Sequence, residues 1–286
     1  NWQNIIALNF GSSIKEIGSH AFDSCSFNGD LIFPHTVETI GEAAFKNCQQ
    51  ITKLNLSYSL REIGAEAFYN CYRINHELTI PNLVTNIGEN AFYNLYNVQY
   101  LVLGRSVQKI GDFAFQNMYN CFGPLVLPDE VETIGDGSFS NCSSFNYLRL
   151  GNKIKYIGNY AFYNCFGFKG LSRIPTSLVT LGNHSFNNCT LMVAEIDIPN
   201  TVNYIGDYAF YNCRSIRSLK LGDHVNETGE YSFAFCRSIV KFYGLPNSLV
   251  IIGNNTFEGC YFSCDIEFPS SVTLISDSAF YQCYFI

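Results

Sequence analysis

The side chains in this chain most able to do chemistry are its cysteines. There are 12, beside 5 His and 2 Met. An even cysteine count in an exported chain suggests disulfides, and Cys with His at short spacings suggests zinc. The spacing here argues for neither. Ten cysteines, Cys25, Cys48, Cys71, Cys142, Cys165, Cys189, Cys213, Cys236, Cys260 and Cys283, share one place in a repeated phrase, eight residues after its first position. Leu95 and Met118 hold that place in the two other copies. A position that accepts Cys, Leu or Met is apolar and buried, so these thiols are expected to be reduced and to act as small hydrophobes. Cys121 and Cys264 lie off the ladder. Cys260 and Cys264 form a Cys-x3-Cys with no His or second pair at zinc spacing, so no metal site is expected.

The other reactive types are equally scattered. His20, His35, His76, His184 and His224 read as lying at different repeat positions, so neither a Ser-His-Asp nor a Cys-His pair is expected. No glycine-rich phosphate loop opens a helix, and the acids are spread over many coils without a paired-carboxylate site. The expectation is a non-enzyme with no cofactor and no catalytic residue. Six Asn-x-Ser/Thr sequons begin at Asn55, Asn141, Asn183, Asn188, Asn226 and Asn254. Asn141 and Asn188 are expected to be inaccessible, and the other four carry glycans only if a eukaryote exports the chain.

The repeated phrase is Ile-Gly-x-x-Ala-Phe, and it sets the architecture. Its anchor recurs at Ile17, Ile40, Ile63, Ile87, Ile110, Ile134, Ile157, Leu181, Ile205, Thr228, Ile252 and Ile275, at intervals of 23 or 24 residues. Phe follows five places later in all 12 copies. Ahead of each anchor runs an apolar-x-apolar stretch, such as Leu101-Val102-Leu103, which reads as a short strand with one buried face. A breaker ends it six places before the anchor, Pro in seven copies and Gly or Ser in five. After Ile-Gly comes a polar, often acidic residue that suits the start of one turn of helix, where free N–H groups need acceptors. A single unit cannot bury its apolar face, but a stack of them can. Twelve coils at the ~4.8 Å strand spacing would extend ~50 Å.

Composition agrees. Hydrophobic residues make up 47% and charged ones 14%, which excludes a disordered chain. A net charge of −7 argues against a nucleic-acid binder. No apolar run approaches a membrane span, and Asn1-Trp2-Gln3-Asn4 lacks the basic start of a signal peptide.

The full pattern, Leu-x-x-Leu-x-Leu/Ile-Pro/Gly-x-x-Val-x-x-Ile-Gly-x-x-Ala-Phe-x-Asn-Cys, resembles the BspA-like leucine-rich repeats over essentially the whole chain. The resemblance implies a leucine-rich-repeat solenoid of twelve 23–24-residue coils, with a parallel β-sheet on the concave face and short helical turns and loops on the other side. It implies a surface or secreted protein, in many cases an adhesin, with no shared catalytic residues. Reduced thiols fit the cytoplasm as well as an anaerobe's surface. Residues 1–286 are expected to form one solenoid domain, a fragment of a longer chain or array.

Three further ladders follow from the repeat. Asn precedes the ladder position in eight coils (Asn47, Asn70, Asn94, Asn117, Asn141, Asn164, Asn188 and Asn212) and is expected to bond backbone groups of its own turn and the next coil. The Phe residues are expected to form a core spine. Tyr69, Tyr93, Tyr163, Tyr211 and Tyr281, one place later, should shield it while partly exposed. The outward strand positions offer a binding face. In the middle coils these are Tyr100, Val102, Val126, Tyr147, Arg149, Leu171 and Arg173. The flanking coils add Lys53, Asn55, Glu77, Thr79, Glu195, Asp197, Lys220, Phe242, Asp265 and Glu267. An aromatic, aliphatic and arginine centre rimmed by acids has the composition of an interface for a protein or glycan partner. The alternative is a spacer or rod whose open coil ends stack between molecules.

Overall fold

A computed structural model describes residues 8–285. The reading of Asn1–Asn4 lies outside them. The chain winds as a parallel β-solenoid, and its unbroken element is a sheet of 12 two-residue strands, each ending on an anchor. Successive strands pair in register, Ile17 with Ile40, Ile40 with Ile63, and so on to Ile252 with Ile275. The anchor side chains point inward, and the following Gly lies against the coil before. A Cβ on Gly88 would stand 2.4 Å from the Ala65 nitrogen, so only glycine fits.

The apolar-x-apolar stretches do form strands, but in short separate sheets. Gly29–Ile32 pairs with Ile51–Asn55, Glu77–Thr79 with Tyr100–Val102, and Pro124–Val126 with Tyr147–Arg149. Glu195–Asp197, Ser218–Lys220 and Lys241–Phe242 form a fourth group. The ladder breaks between Ile51–Asn55 and Glu77–Thr79, and again between Tyr100–Val102 and Pro124–Val126. Both breaks fall where anchors are 24 residues apart, Ile63 to Ile87 and Ile110 to Ile134. One extra residue shifts a strand against its neighbour, and in parallel pairing such a slip ends the ladder.

No helix occurs among the described residues, which corrects the expected helical turn. Ile-Gly-x-x-Ala-Phe-x-Asn-Cys folds instead as consecutive reverse turns. The residue three after the anchor and the residue seven after it both have positive φ in all 12 coils, from 51° at Ala43 to 67° at Asn117. Left-handed residues stop a helix from propagating. They also turn alternate N–H groups toward the next coil, as in Phe22 N to Ala44 O at 2.8 Å and Ser24 N to Lys46 O at 2.7 Å. Asn is among the few side chains that tolerate this backbone, which explains its place before the ladder position.

The core is a set of continuous ladders. Eleven successive Phe pairs, Phe22–Phe45 through Phe257–Phe280, stack at centroid distances of 5.1–5.7 Å. The Asn side chains bond one another rather than the backbone. Asn70 Nδ2 donates to Asn47 Oδ1 at 3.1 Å, and six more such bonds continue to Asn212. The ladder cysteines are free thiols, and nine donate to the Phe carbonyl of the preceding coil, such as Cys71 Sγ to Phe45 O at 3.1 Å. Burial pushes the Cys48 and Cys142 thiols up to about 12. The acids after Ile-Gly also bond across coils rather than within their own turn. Asp112 Oδ1 accepts from Asp136 N and Asp136 Oδ1 from Asn159 N, both at 2.8 Å.

Candidate interaction groove

The break between Tyr100–Val102 and Pro124–Val126 has two local causes. Pro124 has no N–H to donate toward the neighbouring strand. Gly123, at φ +80°, takes up the extra residue of the 24-residue interval. Phe122 N still bonds Gln99 O at 2.7 Å before the break. Where pairing fails, the surface opens into a groove of ≈770 Å³. Tyr100 and Val102 line it from one strand and Pro124 and Val126 from the next, and Phe122, Arg105, Arg149, Glu77, Asp129 and Glu130 also line it. Tyr100, Val102, Phe122 and Val126 are each about half exposed. A second groove of ≈620 Å³, lined by Lys53, Asn55, Glu77, Thr79 and Val102 among others, lies at the preceding break.

The structure separates the seven face residues proposed from the sequence. Tyr100, Val102, Val126 and Arg149 share the groove. Tyr147 is exposed but leans over Gly170, where a Cβ would sit 3.0 Å from its ring. Arg173 is exposed and lies outside the groove. Leu171 corrects the reading. It pairs with the buried Leu148 and packs against the core. Phe242 of the flanking set is turned in likewise, paired with buried Leu219 and 5.2 Å from the Phe262 ring. Both lie in 24-residue intervals whose extra residue follows the strand, and a one-residue shift reverses the face. Lys53 is half-buried, while Asn55, Glu77, Thr79, Glu195, Asp197, Lys220, Asp265 and Glu267 are exposed.

Charge around the groove is largely internally paired. Arg149 donates to Asp129 Oδ1 at 3.1 Å and to Leu127 O at 3.3 Å. Lys153 pairs with Glu130 at 2.7 Å and Lys155 with Glu132 at 2.8 Å. Solvent screens such exposed pairs, so they add little to stability. Arg105 N donates to Asn82 Oδ1 at 3.1 Å, but its guanidinium has no partner among the described residues, so the groove keeps one unengaged cation. Sequence reasoning missed Phe122 and Arg105. The signal for Phe122 was a ring at a place where the preceding coils carry Thr52, Asn75 and Gln99.

Outside the groove, the turns carry an unforeseen aromatic stack. Tyr160, His184, Tyr208 and Tyr231 lie three after their anchors and stack at 4.4, 4.7 and 4.8 Å. His20 shares that position, so the five His do not all occupy different places; six coils lie between it and His184. Burial lowers the His184 pKa, against an opposing pull from Asp207. The Tyr stripe is partly exposed as expected, with Tyr69 and Tyr93 stacked at 4.9 Å. Among the described residues no group of His, Cys, Asp and Glu is placed to hold a metal, and no helix is long and apolar enough to cross a membrane.

One solved structure shares this fold, and others are similar to the chain at lower scores. A leucine-rich repeat protein from Bacteroides ovatus superposes with a TM-score of 0.55 at 25% identity, over 88% of this chain and 77% of that one. A leucine-rich repeat protein of T. pallidum gives 0.49 at 23% identity, over 65% and 86%. A leucine rich cell surface protein from Faecalibacterium prausnitzii gives 0.46 at 19% identity, over 92% and 87%. No curated protein matches the chain. The family model described as the BspA type leucine rich repeat region, of six copies, matches residues 1–122, 118–239 and 192–286. Leucine-rich repeat proteins are generally interaction or adhesion modules rather than enzymes, and this chain belongs to the BspA type leucine-rich repeat family.

Proposed function

We propose that this chain is a non-enzymatic interaction module that seats a polypeptide partner in the groove between Tyr100–Val102 and Pro124–Val126. The observation that carries the reading is a groove of ≈770 Å³ with half-exposed aromatic and aliphatic walls and the unpaired Arg105 guanidinium in its lining. Aromatic side chains and arginine are the residue types enriched at interface hot spots. Placement at the cell surface or outside the cell belongs to the same proposal and rests on family membership. The test is a binding screen of the purified chain against matrix proteins and whole cells, beside Val126→Asp and Arg173→Glu variants. The expected result is a partner lost by Val126→Asp and kept by Arg173→Glu. A partner indifferent to Val126→Asp overturns the groove as its seat.

A further inference from the structure

We propose a second binding site, separate in chemistry from the apolar groove, that takes a linear neutral glycan along one edge of the solenoid. A hollow of ≈560 Å³ lies where the chain runs from the ladder position to the next strand, and Arg73, Asn75, Asn97, Gln99, Asn120 and Phe122 line it together with Thr52. The residues come in pairs two apart, one pair per coil: Arg73 with Asn75, Asn97 with Gln99, Asn120 with Phe122. All six are exposed. No carboxylate lines the hollow, and the Arg73 guanidinium is already bonded to Gln50 Oε1.

A carboxamide donates and accepts at once, as a sugar hydroxyl does, so rows of amides match polyhydroxylated chains. The side chains of Gln99 and Asn120 have no partner among the described residues. Asn97 uses only its Nδ2, on Tyr72 O at 2.8 Å, which leaves its Oδ1 available. Phe122, 49% exposed, offers a flat ring to the C–H face of a pyranose. Periodicity favours a glycan over a peptide. The Phe68, Phe92 and Phe115 ring centroids in the core of these coils stand 5.4 and 5.3 Å apart, and paired strands lie ~4.8 Å apart, so the polar pairs repeat at a step of that order. That step is close to the length of one sugar unit in an extended polymer. An extended peptide advances ~3.4 Å per residue and would fall out of step.

The test is affinity gel electrophoresis of the whole chain through gels containing hydroxyethylcellulose, galactomannan or laminarin, with dextran sulfate as the anionic comparison. Wild type is expected to be retarded by at least one neutral polymer. The Gln99→Ala, Asn120→Ala double variant should weaken that retardation at least tenfold, with circular dichroism unchanged. Val126→Asp, in the apolar groove, should leave it unaltered, so failure of the polypeptide site and failure of this one are read separately. Retardation by dextran sulfate alone, by no polymer at all, or equally in the double variant overturns the proposal. Loss in Val126→Asp also overturns it, because the glycan would then occupy the other groove.

Discussion

Replacing Asn141 tests how the turns are held. Its backbone is left-handed at φ 62°. Its Nδ2 donates to Asn117 Oδ1 at 2.9 Å, and its Oδ1 accepts from Asn164 Nδ2 at 3.1 Å. Asn141→Ala removes both bonds, about 1 kcal/mol each, and forces a Cβ residue without a local hydrogen bond into a left-handed conformation at about 1–2 kcal/mol. The sum is about 3–4 kcal/mol. Asn141→Gly loses the same bonds and adds about 0.5–1 kcal/mol of unfolded-chain entropy, but relieves the backbone, for about 2–3 kcal/mol. Asn141→Asp tolerates the backbone and still accepts from Asn164, yet sets a carboxylate against the Asn117 carbonyl oxygen. It should cost about 2 kcal/mol at neutral pH and less once the acid is protonated and can donate. Asn47→Ala, at the end of the ladder, loses a single side-chain bond and should cost about 1 kcal/mol less than Asn141→Ala. Urea unfolding followed by near-UV circular dichroism, with comparable m-values, reads these differences. Equal losses for Ala and Gly would refute the left-handed argument, and a neutral Asp would refute the amide ladder.

Three other outcomes follow from the same geometry. Gly88→Ala should be strongly destabilising, by at least about 3 kcal/mol, because backbone atoms at 2.4 Å cannot yield; Gly18→Ala, with nothing within 4 Å, should be tolerated, and thermal melts compare the two. A disulfide-exchange reagent at pH 8 should react quickly with exposed Cys264 and only slowly with the other thiols, since burial holds the ladder in the thiol form; unfolding should release all 12, and several fast thiols in the native chain would contradict the ladder. His184 has a folded pKa below its unfolded value, so the unfolded chain binds its proton more readily. Its contribution is therefore intact above about pH 6.5 and lost as pH falls below it, and His184→Phe should flatten that part of the melting-temperature profile.

The repeat made most of the fold legible, because twelve in-phase copies average out local ambiguity. Anchors, Phe spine and buried thiols can all be read from which residue types replace one another, as Leu95 and Met118 replace Cys. The turn conformation was not legible in that way. An acid after Ile-Gly suits a helix start as well as a side-chain bond to the next coil, and only the paired left-handed positions decide. The eight Asn were the available clue, since Asn both caps helices and tolerates positive φ. The candidate face was half legible. Period-2 alternation places Tyr100, Val102 and Val126 outward, but Leu171 and Phe242 follow an alternation that slips where an extra residue enters after the strand.

The same slips explain why the grooves lie where they do, and the explanation can be tested by removing one. Where no extra residue precedes the strand, as between Glu77–Thr79 and Tyr100–Val102, the strands pair, and pairing leaves no opening. At Gly123 the extra residue and the missing N–H of Pro124 act together. No atom lies within 4 Å of where a Gly123 Cβ would be, and the hydrogen bond its deletion removes is the one from Asn146 N to Gly123 O at 2.9 Å. Deleting Gly123 and replacing Pro124 by Thr should restore both register and donor, joining Glu77–Thr79, Tyr100–Val102, Pro124–Val126 and Tyr147–Arg149 into one ladder. Hydrogen exchange would then show new protection at residues 124–126, where the natural chain lacks a partner on that side. The groove volume should shrink, and any partner seated between Tyr100 and Val126 should be lost, while a glycan held by Gln99 and Asn120 should remain. If the shortened coil folds but its amides stay unprotected, register is not what opens the sheet, and the groove must come from the side chains that line it.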